Sequence, residues 1–204
     1  MQQYSEGEGE QIVRAARAAI ELFLRSPSLD KNMLVNSLKG LGKPNGVFVT
    51  ILHYPTREIR GRMGIYGTGK HMGELVVDAA LAAAFEDPKF VPISLKESDH
   101  ITVEVDIISD FEEIKSSGKG KLIKVKMGRD GLYVKYGFKN SLLLPSFPIE
   151  SKLDKTGFFE ALCQKVGISK DHWMQPNVKV FRFETKSFAE EEPDGKIVEV
   201  KHLK

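Results

Sequence analysis

The sequence lacks several features that would assign a function class at once. Cys163 is the only cysteine among 204 residues, which excludes an internal disulfide framework, and no Cys/His cluster has zinc-site spacing. No apolar run approaches the roughly 20 residues that a membrane-spanning helix needs. The start, MQQYSEGEGE, is acidic where a secretion signal would be basic and then apolar. These absences predict a cytoplasmic protein without a metal centre.

The chain also lacks an excess of charge of one sign. With 30 Lys and Arg against 28 Asp and Glu, its net charge is +2. Attraction of the whole molecule to nucleic acid or to a membrane is therefore not expected. The chain is long enough to bury a sizeable core, and it contains no repeat, low-complexity segment or clear linker. Any argument for binding must be local.

Hydrophobic periodicity predicts three helices, each with a stop signal at its end. The first opens with Ser5 and Glu8 in capping-box spacing. The second is rich in alanine, and its small side chains would let it pack close to a sheet. The predicted ranges and stops are residues 5–25 with Pro27, 73–86 with Asp87-Pro88, and 156–166 with Gly167.

Alternating apolar residues predict strands joined mainly by hairpins. HITVEVDII, residues 100–108, has the pattern of a strand with one buried face. Asp130-Gly131 is a hairpin signal between KLIKVKM (121–127) and GLYVKY (131–136). The other predicted strands are 46–53 with a short partner near Ile59, 141–147, 178–185 and 196–202. This arrangement predicts an α+β fold with a largely antiparallel sheet flanked by helices.

The stretch IRGRMGIYGTGKHM, residues 59–72, resembles a phosphate-binding loop, because Gly64 begins a G-x-x-x-x-G-K pattern. A P-loop is not favoured, since His71 replaces the magnesium-binding hydroxyl and the repeated βα units of a nucleotide-binding sheet are missing. Its glycines, beside Arg60 and Arg62, instead indicate backbone N–H groups that receive an anion or a carboxylate. A plain glycine-rich turn is the alternative.

A second candidate is the lysine-rich segment from Lys115 to Lys139, where eight basic residues stand against one acidic residue. Aromatic residues lie between the lysines, so this surface could follow a phosphate backbone and stack bases. The candidate residues for nucleic-acid contact are Lys121, Lys124, Lys126, Arg129 and Tyr133. A solvated antiparallel face, whose edge lysines prevent aggregation, is the alternative.

Catalytic arrangements are not evident. The five histidines are scattered, and only His71 with Glu74 has a spacing that suits a shared ligand. Cys163 lies in the middle of a predicted helix, where a buried structural thiol is favoured over a nucleophile. If the protein is an enzyme, His71 and Glu74 would be the nearest proton-transfer groups to the glycine-rich stretch.

Seven stretches of the chain resemble the AMMECR domain family, whose signature reads L-R-G-C-I-G. They are Arg60-Gly61 with Gly64 and Thr68, DPKF (87–90), ITVEVDII (101–108), GRDGLYV (128–134), LLLPSFPIE (142–150), FFEALCQKVGISKDHW (158–173) and VKVFRFETKSFAEEEP (178–193). Their order and spacing identify the chain as a member of this family, of an archaeal type.

The resemblance implies an α+β fold with a larger and a smaller subdomain and a cleft onto which the signature faces. Residues 8–193 would form this one domain, with residues 1–7 and 194–204 as terminal extensions. It also implies an intracellular protein with Memo-type or radical-SAM proteins as companions. No particular reaction or cofactor is implied.

The chain departs from the family pattern at two positions. Arg62 stands in place of the signature cysteine, and Ser146 stands where a glutamine is expected. An arginine cannot supply the thiolate that covalent chemistry at that position would require. Arg60, Gly61 and Gly64 match the signature.

Three functions follow from these observations. The leading hypothesis is an anion-binding cleft formed by Arg60, Gly61, Arg62, Gly64, Thr68, His71 and Glu74. The first alternative is binding of RNA or single-stranded nucleic acid through residues 115–139. The second is a non-catalytic protein adaptor that uses the acidic segment 190–194 or the basic hairpin.

Overall fold

The computed structural model describes residues 4–26 and 30–201, which form two compact units. Within the described residues, unit 1 comprises 4–26, 30–109 and 186–200, and unit 2 comprises 110–185 with 201. The predicted stop at Pro27 and the end of the last predicted strand, His202, lie outside the described residues.

The helices and strands are interspersed along the chain. The helices are α1 (Glu6–Arg25), α2 (Asn32–Ser37), α3 (Met72–Phe85), α4 (Phe147–Glu150) and α5 (Lys155–Val166). The strands are β1 (Gly46–His53), β2 (Ile59–Tyr66), β3 (Ile101–Ile108), β4 (Glu112–Glu113), β5 (Gly131–Tyr136), β6 (Lys139–Leu143), β7 (Lys179–Phe183), β8 (Thr185–Glu190) and β9 (Ile197–Val200). Short 3₁₀ helices span Lys39–Leu41, Leu95–His100, Gly118–Lys124 and His172–Met174.

Unit 1 is built on a five-stranded sheet with the order β2-β1-β3-β8-β9. The pairs β1–β2, β1–β3 and β8–β9 are antiparallel. Helix α3 packs against β1, β2 and α1, and α1 contacts β3 and β9. The predicted capping box opens α1, since Ser5 N–H donates to Glu8 Oε2 at 2.8 Å. The buried core includes Ile12, Ala16 and Ile20 of α1, Val76 and Ala80 of α3, and Val49, Val103 and Val105 of the sheet.

The prediction that β3 has one buried face is correct for its apolar residues and incomplete for its polar ones. All eight residues of β3 are buried, including Thr102, Glu104 and Asp106. Asp106 Oδ1 accepts a hydrogen bond from Ser187 Oγ at 2.5 Å. The second face of this strand is therefore a buried polar surface and not a solvated one.

Unit 2 contains a four-stranded sheet with the order β4-β7-β5-β6, and α5 packs against β5 and β6. Its core gathers Leu132, Val134, Phe158, Phe159, Leu162, Trp173 and Val180. The predicted glycine stop of α5 is confirmed, because Gly167 adopts φ 77° and Ile168 N–H donates to Cys163 O at 3.0 Å.

The hairpin predicted across Asp130-Gly131 is wrong. Residues Gly118–Lys124 form a 3₁₀ helix, and β5 pairs with β6 across a turn at Gly137, where φ is 57°. The Asp130 carboxylate accepts the N–H of Lys126 at 2.8 Å, which closes a turn where the strand was expected. The short helices α2 and α4 were also not predicted.

The α+β class with antiparallel pairing is confirmed. Over the two stretches that the structure describes, none of the helices is both long enough and apolar enough to span a membrane.

Candidate functional site

Strand β2 carries the signature residues at the edge of the unit 1 sheet. A Cβ atom at Gly61 would lie 2.1 Å from the carbonyl oxygen of Ala83, so Gly61 faces helix α3. Side chains alternate along a strand, which turns Arg62 to the opposite face. Arg60 lies beside a register shift between β1 and β2.

Arg60 is a buried residue whose guanidinium is held along one edge. Its Nε donates to Glu97 Oε1 at 2.8 Å, and its Cζ lies 5.9 Å from the centre of the Phe90 ring. Within residues 4–26 and 30–201, no residue accepts a hydrogen bond from its Nη1 or Nη2. The Arg60 side chain as a whole is 8% exposed.

Glu97 is held in place by hydrogen bonds that do not involve Arg60. It lies in the 3₁₀ helix Leu95–His100, and its Oε2 accepts hydrogen bonds from Ser94 N and Oγ, each at 2.8 Å. Partial burial acts to raise the pKa of Glu97, but the hydrogen bonds from Arg60 and Ser94 outweigh it and lower the pKa to about 2. Glu97 therefore remains charged and keeps the Arg60 guanidinium in one orientation.

The Glu97 pair predicts an acid-sensitive contribution to stability. Because its folded-state pKa lies below the ordinary glutamate value of 4.5, the contribution is complete above pH 4.5 and is lost as the pH falls towards 2. We expect Glu97→Gln to reduce the free energy of unfolding at pH 7 by on the order of 2 kcal/mol, and to flatten its decrease between pH 5 and 3. Urea unfolding of both proteins across this range measures the effect. The surface variant Glu10→Gln is the control, and identical pH profiles for wild type and Glu97→Gln would refute the assignment.

Arg62 is anchored by both its backbone and its side chain. Its N–H donates to Asp87 Oδ2 at 2.8 Å, so the carboxylate covers a donor at the open edge of β2. Its Nε donates to Thr50 Oγ1 at 2.9 Å. Asp87 Oδ1 also accepts the N–H of Lys89 at 2.9 Å. The DPKF stretch thus supplies both the edge cover and the Phe90 ring beneath Arg60.

A polar row crosses the three strands on this face of the sheet. The register places Thr50 of β1 opposite Arg62 of β2 on one side and Glu104 of β3 on the other. Arg57 Nη2 lies 3.5 Å from Glu104 Oε2. Asp106 is two residues along β3 and so shares this face. Four polar residues of this region are not evident as site residues from the sequence: Thr50, Glu97, Glu104 and Asp106. Only the spacing of Ser94 and Glu97 gives a local signal, that of a capping box.

The glycine-rich stretch is not a phosphate loop. Gly64 lies inside β2 opposite Phe48, in an antiparallel pair, and not in a loop after a parallel strand. A Cβ atom there would meet the Phe48 ring at 2.3 Å, so this glycine makes room for an aromatic side chain. The turn to α3 uses Gly67 and Gly69, with φ of 69° and 70°.

The remaining residues of the stretch form the start of α3. Thr68 Oγ1 accepts the N–H of Lys70 at 3.4 Å, and Lys70 Nζ pairs with Asp78 at 2.8 Å. Glu74 Oε2 accepts the N–H of His71, the N-cap residue, at 3.0 Å. Glu74 thus has a structural role as a helix cap, which the proton-transfer hypothesis did not anticipate.

The basic segment offers less to a nucleic acid than its sequence suggests. Lys121 is buried, and its Nζ donates to the carbonyl oxygens of Trp173 and Val178. Burial lowers the pKa of Lys121. Arg129 Nε pairs with Asp130 at 2.7 Å.

Tyr133 is buried and stacks on Phe111, with ring centres 4.4 Å apart. Of the five candidate residues, Lys124 and Lys126 are exposed. Three candidate contacts therefore have structural roles within unit 2.

The acidic segment 190–194 is also partly structural. Glu190 is fully buried and pairs with Arg17, and Asp194 Oδ1 lies 2.6 Å from Arg14 Nη1. Glu190 cannot act as a surface handle for an adaptor, because no partner protein can reach it. The prediction that the segment 190–194 serves as a surface for a partner protein is therefore wrong for Glu190.

Two antiparallel sheets with helices on them define an α+β protein, and its strand β2 carries the R-G-x-x-G pattern of the AMMECR signature. The AMMECR1 family model matches residues 13–188, and the chain belongs to this family.

Archaeal proteins are similar to this chain along nearly their whole lengths. Protein MJ0810 of Methanocaldococcus jannaschii is 40% identical over 198 residues, which cover 96% of each chain. A protein of Thermococcus gammatolerans is 38% identical over 192 residues, which cover 93% of each. The crystal structure of the uncharacterized protein PH0010 from Pyrococcus horikoshii has a TM-score of 0.87 at 34% identity, covering 97% of this chain and 98% of that one. These similarities show the family and the fold, and they assign no reaction.

Proposed function

We propose that unit 1 binds an anionic group, a carboxylate or a phosphate, at Arg60 and Arg62. The observation that supports this proposal is the hydrogen bonding of the Arg60 guanidinium, in which only Nε has a partner among the described residues. Glu97 and Phe90 fix its Nε edge and its plane, while neither Nη group donates a hydrogen bond to a residue within the described ranges. An arginine fixed in this way presents two donors to a planar anion at little cost in side-chain entropy.

Carboxylates near the proposed site offset the positive charge of its arginines. The proposed binding therefore depends on directed hydrogen bonds and not on net charge. Each arginine of this region is matched by a carboxylate: Arg57 lies beside Glu104, Arg60 pairs with Glu97, and the Arg62 N–H donates to Asp87. Near-balanced charge gives a weak long-range field. The affinity should then depend weakly on salt, whereas binding of nucleic acid through a basic surface falls steeply with salt.

The anionic group can belong to a small molecule or to a partner protein. Memo-type and radical-SAM proteins, the companions that the family resemblance implies, are candidates for such a partner. A small ligand would carry the carboxylate or phosphate itself and would bind to the purified protein. A partner protein would supply a carboxylate side chain or a phosphorylated residue.

The test is a titration of the ¹⁵N-labelled protein with sodium phosphate and with sodium acetate at constant ionic strength. We expect saturable shifts at the Arg60 and Arg62 side-chain signals, and an affinity reduced by about tenfold or more in Arg60→Ala. Arg60→Lys should lose most of this affinity as well, since lysine lacks the planar fork.

Arg14→Ala is the matched control, because Arg14 is also ion-paired in unit 1 but lies on the surface of α1. It should bind both anions as the wild type does. If Arg60→Ala lowers stability while wild type shows no saturable anion binding, Arg60 is a structural arginine and the proposal is wrong.

A further inference from the structure

A cavity in unit 2 lies along the edge strand β4. It has a volume of about 550 Å³, and residues 111–115, Lys124 and Arg182 line it. The strand order places β4 at the edge of the four-stranded sheet. Ligand sites in proteins commonly have volumes of about 300 to 1,000 Å³, so this cavity is large enough to hold a small molecule.

Arg182 holds two walls of the cavity together. Its Nε and Nη2 donate to Glu112 Oε2 at 2.9 and 2.7 Å, and its Nη1 donates to Lys124 O at 3.1 Å. Glu112 belongs to β4, and Lys124 is the last residue of the 3₁₀ helix Gly118–Lys124. One guanidinium therefore fixes the backbone of Lys124 beside the edge strand.

The charges on the lining do not cancel. One of its two carboxylates is the partner of Arg182, and the other, Glu113, has its Oε2 4.0 Å from Lys179 Nζ. Lys115 and Lys124 are exposed, and in the described part of the chain no carboxylate pairs with either ammonium group. Each lining carboxylate thus has a cationic partner, and two ammonium groups remain. An anionic ligand would complete the pairing through charge-assisted hydrogen bonds.

Phe111 adds an aromatic side chain to the lining. Its ring stacks on Tyr133, with ring centres 4.4 Å apart, and meets the Phe183 ring edge-on at 5.6 Å. Tyr133 and Phe183 are buried, whereas Phe111 is half-buried. A ring that is stacked on one face keeps its other face for a planar partner, and nucleobases stack on such rings.

We infer that this cavity binds a nucleoside phosphate, either as a free nucleotide or as one unit of a single strand. The base stacks on Phe111, and the ammonium groups of Lys115 and Lys124 bind the phosphate. A phosphate alone would not use the ring, and an uncharged aromatic compound would leave both ammonium groups unpaired. The site is independent of the proposed function, because Arg60 and Arg62 belong to unit 1.

The experiment compares adenosine monophosphate with its two fragments, adenosine and ribose 5-phosphate, in NMR titrations of the ¹⁵N-labelled full chain at constant ionic strength. We expect adenosine monophosphate to bind about tenfold tighter than either fragment, with shifts at residues 111–115 and at Lys124. A short oligoadenylate distinguishes the two sources of the ligand. If it binds about tenfold tighter than the monophosphate, the ligand is a single strand, and equal affinity assigns a free nucleotide.

Two double variants separate the cavity from the general charge of the basic segment. Lys115→Ala with Lys124→Ala should reduce the affinity for adenosine monophosphate by about tenfold, to the level of adenosine. Lys119→Ala with Lys126→Ala is the matched control, because it removes the same charge from two exposed lysines that do not line the cavity. The control should bind as the wild type does. All four lysines are exposed, so neither double variant should unfold unit 2.

Three results would overturn the site. Equal losses in the two double variants would show that net charge alone attracts the nucleotide. If ribose 5-phosphate binds as tightly as adenosine monophosphate, no base stacks on Phe111 and the ligand is not a nucleoside phosphate. If no probe shifts the signals of residues 111–115 or Lys124, the cavity binds no nucleotide. Shifts at Arg60 and Arg62 report the anion site of unit 1 separately, so none of these results decides the proposed function.

Discussion

Replacing Glu190 by alanine is expected to lower the free energy of unfolding by about 3–5 kcal/mol, because it leaves the buried Arg17 charge without its partner. Glu190 is fully buried, and its two oxygens accept hydrogen bonds from Nε and Nη2 of Arg17. Its Oε2 also accepts the N–H of Val103 at 2.9 Å. One carboxylate therefore joins α1, β3 and β8.

The neighbours of Arg17 explain why this charge cannot relax into water. Its Nη2 donates to Ile101 O at 2.7 Å and its Nη1 to Ser98 O at 3.3 Å, while Glu21 lies 3.2 Å from Nη1. Without Glu190, the guanidinium would stay among carbonyl oxygens with one remaining, more exposed carboxylate. An uncompensated buried charge is the costly state, whereas an apolar pair of similar volume is often tolerated.

Chemical denaturation at neutral pH measures the loss of stability. Two further variants test whether the unpaired buried charge causes it. The double variant Arg17→Met with Glu190→Leu should recover most of the loss, because neither charge is then buried. Arg14→Ala removes a surface pair one turn earlier in α1 and should cost about 1 kcal/mol or less. A Glu190→Ala loss no larger than that of Arg14→Ala would show that the buried pair contributes little.

Local signals made much of the fold predictable from the sequence. The periodicity and capping box of α1, the alanine-rich run of α3 and the glycine stop of α5 each lie within a few residues of what they determine. The apolar alternation of β1 and β3 has the same local character. These predictions are confirmed because the interactions that determine the elements join residues close together in the sequence.

The candidate site depends on interactions between residues far apart in the sequence, and these were not predictable. Arg60 meets a carboxylate 37 residues away, and no local pattern assigns Glu97 to it. Lys121 reads as a surface lysine, yet carbonyl oxygens more than 50 residues away hold it inside unit 2. Alternation identified the apolar face of β3 but could not show that Glu104 and Asp106 are also buried.

The signature glycine at position 61 has a packing role that is independent of any ligand. A Cβ atom there would lie 2.1 Å from the Ala83 carbonyl oxygen and 3.2 Å from its carbonyl carbon, both backbone atoms of the last turn of α3. A backbone cannot rotate aside as a side chain can, so helix and strand would have to separate. The close approach that the alanines of α3 predicted is therefore completed by a glycine on the strand.

Gly61→Ala is accordingly expected to lower the free energy of unfolding by about 3 kcal/mol or more, the upper end of the range for overpacking a core. Denaturant unfolding measures the loss, and Gly7→Ala is the matched control because a Cβ atom in that turn of α1 meets nothing within 4 Å. The control should be neutral or stabilising by up to about 1 kcal/mol, since alanine favours the helix over glycine. If Gly61→Ala instead keeps its stability but loses the anion-dependent shifts at Arg60, the glycine serves ligand access and not helix–strand packing. Loss of stability with anion binding retained in the remaining folded protein would assign Gly61 to the fold and leave recognition to the two arginines beside it.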